Sequence, residues 1–401
     1  MNFLVHFESV QKFIEKITSK CYNIAIMENE NRYNKLNKYL KNKFGERTLK
    51  ICVDAGFTCP NRDGTVAKGG CIFCSERGSG EHINNCADNS ISGQISNYFK
   101  SYKSERANKF IVYFQNFTNT YDNIENLKIK YDSSLIDDRI VGISIATRPD
   151  CINEDVVKLL HSYIGTDINT NIDTNLNINN TTDSDADATS NSDANANANA
   201  TSNSDADTNA NATSNSDANV NVNKKYYVEV ELGLQTSNDK TGKFINRGYS
   251  SNQFTKAVSL LNKYNIDVIA HIMIGLPGED FNDLKNTVNF LNSHNIQGIK
   301  IHSTYVVENT KLCDLYNDGL YDPISLNDYL ESVVYILTHI NPNVVVHRIS
   351  GDAPKNLLVA PEWNSHKKLV LNGVDRILRE QDLWQGMYFD ERNVSSWRNI
   401  F

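Results

Sequence analysis

The chain has 401 residues, 40% of them hydrophobic, so its length and composition allow one large folded domain or two ordinary ones. The formal net charge is −8, from 40 basic and 48 acidic side chains. Nine of the acidic residues and none of the basic ones lie in the 58 residues 166–223, so the other 343 residues carry a net charge of +1. The overall acidity therefore excludes no anionic partner.

Residues 166–223 form a low-complexity segment without Lys, Arg, Gly, Pro or aromatic residues. The unit ATSNSDA occurs three times, beginning at Ala188, Ala200 and Ala212. Such a segment buries too little apolar surface to offset the entropy lost on ordering it. A solenoid is the alternative, but the repeat has no large apolar side chain to stack. We interpret residues 165–223 as a long disordered surface insertion.

The N-terminal region shows no membrane-spanning or secretory signal. No run of about 18 apolar residues occurs in the chain, which argues against a spanning helix. Residues 1–27 mix apolar and charged side chains with the spacing of an amphipathic helix, unlike a signal peptide. If translation starts at Met27, the preceding residues are not native. We expect a cytoplasmic protein whose residues 1–46 form a helical extension with a basic segment.

After residue 47, short β-branched runs alternate with longer stretches of helical spacing. The predicted strands are Leu49–Val53, Phe110–Phe114, Ile140–Ala146, Val228–Leu232, Val268–Ile274, Ile299–His302 and Val344–His347. The predicted helices are Ile91–Lys100, Asp155–Tyr163, Gln253–Tyr264, Asp280–His294 and Leu326–Ile340. Repeated βα units predict an α/β fold with a parallel sheet, open or closed, formed by residues 47–164 and 224–349.

Polar or glycine-rich segments follow five of the predicted strands. In parallel α/β folds, the loops at the carboxyl ends of the strands converge and carry the chemistry. The five segments are Asp54–Gly64, Gln115–Tyr121, Thr147–Cys151, Gly233–Thr236 and Gly275–Glu279. We expect them to surround one site. The low-complexity insertion follows a helix and is therefore predicted to leave the opposite side of the sheet.

Three cysteines in the loop after the first strand form the pattern C-x11-C-x2-C: Cys59, Cys71 and Cys74. In a reducing compartment, close cysteine spacing indicates metal ligation more than disulfides. Three thiolates suit a 4Fe–4S cluster with one iron left open. A structural zinc ion is the alternative, and it would need a fourth ligand such as His82 or Cys86.

The cysteine loop and seven other motifs resemble the radical SAM superfamily. The eleven residues between Cys59 and Cys71 exceed the three that are usual in the superfamily. This longer spacing restricts the resemblance to fewer of its groups. The set is similar to the YtqA/YhcC group, which is related to the radical SAM domain of the elongator catalytic subunit. The motifs are GFTCPNRDGTVAKGGCIFC, YFQNFTNTY, TRPDC, ELGLQT, INRGY, IGLPGE, IKIH and HRISGDAP. The resemblance covers residues 32–164 and 224–386.

The resemblance implies a partial (β/α)6 TIM-like barrel whose three cysteines hold a 4Fe–4S cluster. S-adenosylmethionine would bind the open iron, and one electron from a donor such as flavodoxin or ferredoxin would cleave it. The resulting 5′-deoxyadenosyl radical abstracts a hydrogen atom from the substrate. Residues 350–401 include apolar side chains at helical spacing, and we expect this C-terminal helical segment to pack on the barrel.

Residues at the strand ends are candidates for cofactor contacts. The candidates are Phe73, Gln115, Asn116, Thr118, Arg148, Glu231, Gln235, Arg247, Met273 and Gly275. The resemblance implies that the candidates after the second strand bind the methionine amino group of S-adenosylmethionine. It places the fourth-strand candidates at the ribose and the fifth-strand candidates at the adenine. The two arginines could bind a carboxylate or phosphate. Alternatively, Glu229 and Glu231 belong to an ion-paired interior, with Arg247 as a partner.

The resemblance implies tRNA as the substrate, at the C5 side chain of the wobble uridine. Seven basic residues and one acidic residue lie between residues 32 and 50, interleaved with aromatic ones, which suits an RNA surface. The candidates for substrate contact are Lys35, Lys38, Lys41, His302 and His347. The alternative is a solvated helix whose apolar side chains pack inward: Tyr33, Leu36, Leu40 and Phe44.

Two other functions remain open at this point. The first is an enzyme that has the same cluster but performs its radical chemistry on a small metabolite or a peptide instead of RNA. The second is a zinc-stabilised module that binds RNA and has no catalytic activity. The oligomeric state cannot be inferred from these motifs.

Overall fold

The computed structural model describes residues 31–78, 80, 83, 88–164, 225–351 and 353–390. The predicted helix within residues 1–27 and the low-complexity insertion lie outside this set. The strands are β1 (Thr48–Val53), β2 (Lys109–Phe114), β3 (Ile140–Thr147), β4 (Tyr227–Gln235), β5 (Asp267–Ile274), β6 (Gly298–Ser303), β7 (Val306–Val307), β8 (Val345–Arg348) and β9 (Leu358–Ala360).

Helices separate most of these strands. They are α1 (Leu36–Phe44), α2 (Ile91–Lys100), α3 (Ile124–Asp132), α4 (Glu154–Ile164), α5 (Asp239–Phe244), α6 (Ser251–Lys263), α7 (Phe281–Asn292), α8 (Lys311–Asn317), α9 (Leu326–His339) and α10 (Lys367–Glu380). Short 3-10 turns occur at Ser104–Arg106, Pro149–Cys151 and Glu362–Ser365. No helix in the described ranges is both long enough and apolar enough to cross a membrane.

Seven strands form one parallel sheet in the order β1-β2-β3-β4-β5-β6-β8. The strands of this sheet lie side by side in chain order, as repeated βα units require, with β7 outside the sheet. All seven predicted strands are present, and β4 runs three residues further than predicted. The expected α/β fold, a partial TIM-like barrel, is confirmed. Strands β7 and β9 form a separate antiparallel pair.

The outer face of the sheet is apolar and packs against the helices. Alternate residues of each strand point outward, because side chains in a strand have a period of two. On β4, for example, Val228, Val230 and Leu232 are at most 2% exposed. On α4, Val157 and Leu160 are fully buried in the same cluster. Burial of this face is the main source of the fold's stability.

The inner face is polar and ion-paired. From β1, the Lys50 ammonium lies 2.7 Å from Glu231 of β4 and also pairs with Glu229. From β6, Lys300 pairs with Glu231 from the other side. The alternative interpretation of Glu229 and Glu231 as parts of an ion-paired interior is therefore correct. Their partners are lysines, and not Arg247. Lys50 belongs to this interior, so it must be removed from the predicted basic surface.

Helix α1 covers the amino end of the sheet. The Phe44 ring contacts Tyr227, the first residue of β4, edge to face at 5.8 Å. The Lys43 ammonium lies 3.7 Å from the carboxylate of Asp267, the first residue of β5. Leu40 is only 1% exposed. The inward packing considered for this helix is therefore present.

The C-terminal part packs on the same end. Helix α10 lies against α9 and buries Val374 and Leu378 completely. Beyond it, the Gln385 side chain accepts a hydrogen bond from the Asn34 backbone at 2.8 Å and donates one to the carbonyl of Val344 at 2.8 Å. These bonds connect the C-terminal segment to the residues before α1, beside strand β8.

Candidate active site

The loop after β1 folds the three cysteines into compact turns. The Cys59 carbonyl accepts a hydrogen bond from the Arg62 backbone at 2.8 Å, and the Cys71 carbonyl accepts one from Cys74 at 3.0 Å. Gly70 has a φ of +78°, a left-handed conformation that glycine adopts without strain. This backbone brings the ends of a long cysteine spacing together.

The three thiols face one another closely enough to interact. Burial, and then the thiols of Cys74 and Cys59, raise the pKa of Cys71 to about 12. All three cysteines line one cavity, so their thiols are placed to bind one metal centre, and soft thiolate ligands suit an iron–sulfur cluster.

Two N–H donors approach the cysteine sulfurs. The Asn61 side-chain nitrogen lies 3.7 Å from the Sγ of Cys71, and Arg148 Nη1 lies 4.0 Å from the Sγ of Cys59. Donors directed at sulfur are characteristic of protein-bound iron–sulfur clusters, where they tune the reduction potential. The residues around the thiols therefore fit a 4Fe–4S cluster.

Two other segments hold the cysteine loop in place. The Asn246 side chain donates to the Gly70 carbonyl at 2.7 Å, and the Ile72 backbone donates to the Ile245 carbonyl at 3.1 Å. The Ile72 carbonyl in turn accepts from the backbone of Leu312 in α8 at 2.9 Å. The INRGY motif and the start of α8 are thus the loop's external supports.

Arg62 supports the loop from within, a role that the sequence analysis missed. Its guanidinium donates to the Cys74 carbonyl at 3.1 Å and to the carbonyl of Ser75, and it lies 5.3 Å from the Phe117 ring centre. A Cβ atom at Gly78 would lie 2.6 Å from that ring. The basic residue between closely spaced cysteines was the available signal.

A cavity of about 230 Å³ lies between the cysteine loop and the carboxyl ends of the strands. All three cysteines line it. The other predicted site residues in its wall are Phe73, Gln115, Thr118, Arg148, Glu231, Gln235 and His302. Those that do not line it are Asn116, Arg247, Met273, Gly275, His347, Lys35, Lys38 and Lys41. The structure therefore brings together seven of the predicted contacts with the cysteines.

Arg148 lines the cavity, but its carboxylate-binding edge is occupied. Its Nε and Nη2 donate to both carboxylate oxygens of Asp150 at 2.9 and 2.7 Å, and its Nη1 donates to the Arg247 carbonyl at 2.9 Å. A guanidinium binds one carboxylate in this bidentate way. The expected bidentate role toward a ligand must be corrected to one of positioning the loop beside Cys59.

Arg247 is a structural residue and not a cofactor contact. It is 1% exposed, and its guanidinium donates to the carbonyls of Leu234 and Thr236 at 2.7 and 2.6 Å and to the carboxylate of Asp239 at 2.8 Å. These bonds hold the connection from β4 to α5. The partner considered for it, Glu231, is bound by other residues.

The residues after β2 divide into two groups. The Asn116 side chain points away from the cavity and donates to the Asp54 carboxylate at 2.6 Å. Thr118 is 1% exposed, and its hydroxyl has no hydrogen-bond partner within the described chain. A buried hydroxyl without a partner is costly, so this one is available for a ligand in the cavity.

The two fifth-strand candidates, Met273 and Gly275, are not among the residues that line the cavity. Met273 is half-buried and packs, as Phe73 does, against a second apolar cluster that includes Ile72 and Leu276. Gly275 has a φ of +82°, and its carbonyl accepts a hydrogen bond from the Tyr321 hydroxyl at 2.8 Å.

The polar interior forms the floor of the cavity. Glu231 accepts from Lys50, from Lys300 and from His271 Nε2, the last at 2.8 Å. Burial opposes its ionisation, but the ammonium groups of Lys300 and Lys50 hold the pKa of Glu231 well below its usual range. Burial lowers the pKa of Lys300 to about 8. The floor therefore holds charges of both signs next to the reaction space.

The two candidate histidines lie at different depths. His302 lines the cavity, its ring centre is 5.3 Å from that of His271, and its buried Nε2 has no partner among the described residues. Burial, and then the neighbouring His271, hold the pKa of His302 well below its usual range, so the ring is neutral. His347 lies below the cavity with Glu229 and Glu231.

The basic segment lies at the other end of the barrel. Lys38 and Lys41 are on α1, which covers the amino ends of the strands, and Lys35 precedes it in a backbone bridge to Val346 of β8. Lys41 is exposed and Lys38 is half-buried. The structure does not bring these lysines together with the cysteines.

Comparison with known proteins identifies relatives along nearly the whole chain. The family model described as the Radical SAM superfamily matches residues 199–291, and the Radical_SAM C-terminal domain matches residues 296–380. The chain is 34% identical to the uncharacterised protein YtqA of Bacillus subtilis, over 92% of this chain and 96% of YtqA. It is 27% identical to YhcC of Escherichia coli K12, over 85% of this chain and 90% of YhcC.

Two further relatives are more distant from this chain. The tRNA uridine(34) acetyltransferase of Methanocaldococcus jannaschii is 29% identical over 32% of this chain and 25% of its own length. The solved structure of archaeal Elp3 from Methanocaldococcus infernus superposes with a TM-score of 0.53 at 15% identity. That match covers 84% of this chain and 64% of the Elp3 chain, and it shows a shared fold.

Proposed function

The chain belongs to the YtqA/YhcC group of the radical SAM superfamily, and we propose that this radical SAM enzyme modifies the side chain of the wobble uridine in tRNA. Its cofactors are a 4Fe–4S cluster and S-adenosylmethionine, which together supply a 5′-deoxyadenosyl radical when one electron arrives. The observation that carries the enzymatic part is the convergence of three cysteines on one cavity at the carboxyl end of the sheet.

The chain's own residues would position the cofactors. Cys59, Cys71 and Cys74 would bind three irons and leave the fourth open toward the cavity. The Thr118 hydroxyl, which lacks a partner among the described residues, and the Gln115 side chain would bind the methionine amino group. Gln235, which accepts a hydrogen bond from Tyr249 at 2.8 Å, would bind the ribose from the opposite wall.

The floor residues would hold the substrate. Lys300, His302 and Glu231 present donors and acceptors at the end of the cavity away from the cysteine loop. Because His302 is neutral, it can donate one hydrogen bond or accept one, as the edge of a uracil ring requires. The reacting carbon would then lie between the floor and the cysteine loop.

The tRNA part of the proposal is supported by relatives and by one surface. The chain aligns over 132–133 residues with a tRNA uridine(34) acetyltransferase and with Elongator complex protein 3 of Homo sapiens. Lys38 and Lys41 are the basic residues of α1 that an RNA could contact. A six-residue strand is about 20 Å long, so an RNA that reaches both the cavity and α1 must extend along the barrel. A tRNA anticodon arm meets that requirement.

Comparison of modified nucleosides tests the substrate. Total tRNA from a strain lacking the protein and from its parent would be digested and analysed by mass spectrometry. We expect one modified uridine to disappear and a less modified uridine to accumulate. Unchanged tRNA nucleosides would contradict the tRNA proposal and favour the alternative substrates, a small metabolite or a peptide.

Charge reversal tests the RNA surface. We expect Lys38→Glu combined with Lys41→Glu to weaken the shift of tRNA in a gel about tenfold, because a lysine that neutralises a phosphate adds to the affinity for RNA. Lys100→Glu combined with Lys103→Glu, two exposed lysines in and after α2, is the matched control. If both pairs of substitutions weaken tRNA binding equally, α1 is not the RNA-binding surface.

A further inference from the structure

Arg148 and Asp150 form a buried ion pair beside the cysteine loop. We infer that the guanidinium of Arg148 raises the reduction potential of the cluster through Cys59, and that Asp150 limits this increase. The inference rests on the proposed radical SAM activity and adds a pair of residues that sets how readily the cluster accepts its electron. Arg148 is a positioning residue in this role, because it acts through the cysteine ligand and not on the substrate.

The pair is withdrawn from solvent. Arg148 is 7% exposed, and the side chain of Asp150 is 9% exposed. A guanidinium stays protonated in proteins, and salt screens a buried charge much less than an exposed one. Arg148 is therefore a permanent positive charge next to a cluster ligand.

The hydrogen bonds of the guanidinium hold it against a cysteine sulfur. Nε and Nη2 donate to the two carboxylate oxygens of Asp150, and Nη1 donates to the Arg247 carbonyl at 2.9 Å. The same Nη1 lies 4.0 Å from the Sγ of Cys59. The guanidinium also lies over the Tyr249 ring, 4.8 Å from its centre. The cation cannot move away from Cys59 without breaking these contacts.

A glycine of the INRGY motif permits this arrangement. Gly248 has a φ of +81°, and a Cβ atom there would lie 2.6 Å from the Asn61 Oδ1 and 3.2 Å from the Arg148 Nη2. Asn61 is the other donor near a cluster ligand, with its side-chain nitrogen 3.7 Å from the Sγ of Cys71. The absence of a side chain at Gly248 therefore lets both donors approach the sulfurs.

The direction of the effect follows from the charges. Reduction adds one electron, supplied by a one-electron donor, to the cluster and its thiolates, and no bond forms or breaks. Their total charge becomes more negative by one unit, so a nearby cation stabilises the reduced form and raises the reduction potential. Asp150 binds the Nε and Nη2 edge of the guanidinium and offsets part of this positive field.

Redox titration of the anaerobically reconstituted holoenzyme, followed by electron paramagnetic resonance, tests the pair. The midpoint potential would be measured for the parent, Arg148→Met, Asp150→Asn and the double variant. Arg148→Lys keeps the charge without the bidentate geometry. Arg139→Met and Asp137→Asn are the matched controls, because this more exposed pair precedes β3 and has the same bidentate geometry, at 2.9 and 2.8 Å.

We expect Arg148→Met to lower the midpoint potential and Asp150→Asn to raise it. Each change should alter the equilibrium between the two oxidation states about tenfold, which is about 59 mV for one electron. The double variant should lie between the two single variants, and Arg148→Lys should lie above Arg148→Met. Both controls should equal the parent. A loop that was merely loosened would not shift the potential in opposite directions in the two single variants.

Shifts of the same sign in Arg148→Met and Asp150→Asn would overturn the inference. So would potentials equal to the parent in both, or equal shifts in the controls. If Arg148→Met does not fold or binds no cluster, Asp150→Asn decides, and a potential at or below that of the parent contradicts the inference. A parent protein that binds no cluster would instead contradict the proposed function.

Discussion

The two ends of the sheet differ in the chemistry of the side chains that they present. At the carboxyl end, the cysteine loop and the strand ends surround a cavity that holds thiols, a buried hydroxyl without a partner in the described chain and a neutral histidine. At the amino end, Leu40 of α1 is buried and Phe44 packs on Tyr227, and the residues that line the cleft beside Phe44 include no cysteine or histidine. One end therefore provides chemistry and the other stability. Substitutions should separate the two properties.

The largest expected effect is on the cluster. Cys71→Ala should remove nearly all bound iron and labile sulfide, because two remaining thiolates hold a cluster poorly. Thermal unfolding of the apoprotein should change little, since the loop is also held by Arg62 and Asn246. Iron and sulfide assays after anaerobic reconstitution provide the measurement. Cys313→Ala, at a buried cysteine in the second apolar cluster, is the control and should keep its iron.

The next largest effect is a loss of stability from disrupting the ion-paired interior between the two ends of the sheet. Glu231→Gln leaves Lys50 and Lys300 buried with one carboxylate fewer, and breaking such a network costs about 3–5 kcal/mol of unfolding free energy. Urea denaturation measures it. Asp382→Asn removes an exposed ion pair with Arg32 and should cost less than about 1 kcal/mol. Equal losses in the two variants would show that the interior network contributes no more than a surface pair.

A substitution at the closed end should affect stability alone. Leu40→Ala is expected to reduce the free energy of unfolding by about 3 kcal/mol through the cavity that it creates. Iron content per folded protein should equal that of the parent. Leu320→Ala, at a side chain that is 72% exposed, is the control and should change neither property. Loss of iron in Leu40→Ala would contradict the separation of the two ends.

The smallest effect depends on pH. Burial raises the pKa of Glu279, in the loop after β5, to about 7 from its ordinary 4.5. The folded state therefore keeps a proton that the unfolded chain releases, and stability is lost as the pH rises from about 4.5 to 7. Glu279→Gln stays neutral and should be more stable than the parent at pH 8, by about 2 kcal/mol. Thermal unfolding should show no difference at pH 4, and a constant difference across this range would contradict the account.

The strands and the cysteine ligands could be predicted from the sequence because their signals are local. Buried runs such as Val268–Ile274 correspond closely to β5, Asp267–Ile274. The short helices α3, α5 and α8 were not predicted. Their stability comes from caps and tertiary contacts, such as the Asn123 and Thr310 side chains that cap α3 and α8, more than from a long apolar period.

The partners of charged residues could not be predicted, because they depend on which strand faces which. Lys50 was assigned to a basic surface and lies inside the barrel. Arg247 was assigned to a ligand and holds backbone carbonyls. A partial signal was available for the interior: polar residues alternate on β1, β4 and β6 with the period that places them on one face. The pairing of Arg148 with Asp150 had no equivalent signal beyond proximity in sequence.

Electron paramagnetic resonance of the reduced, anaerobically reconstituted protein tests the central claim most directly. If three cysteines hold a 4Fe–4S cluster with an open iron, the protein should contain about four irons and four sulfides per chain, and its signal should shift when S-adenosylmethionine is added. Zinc in place of iron, or a cluster signal that S-adenosylmethionine leaves unchanged, would contradict it.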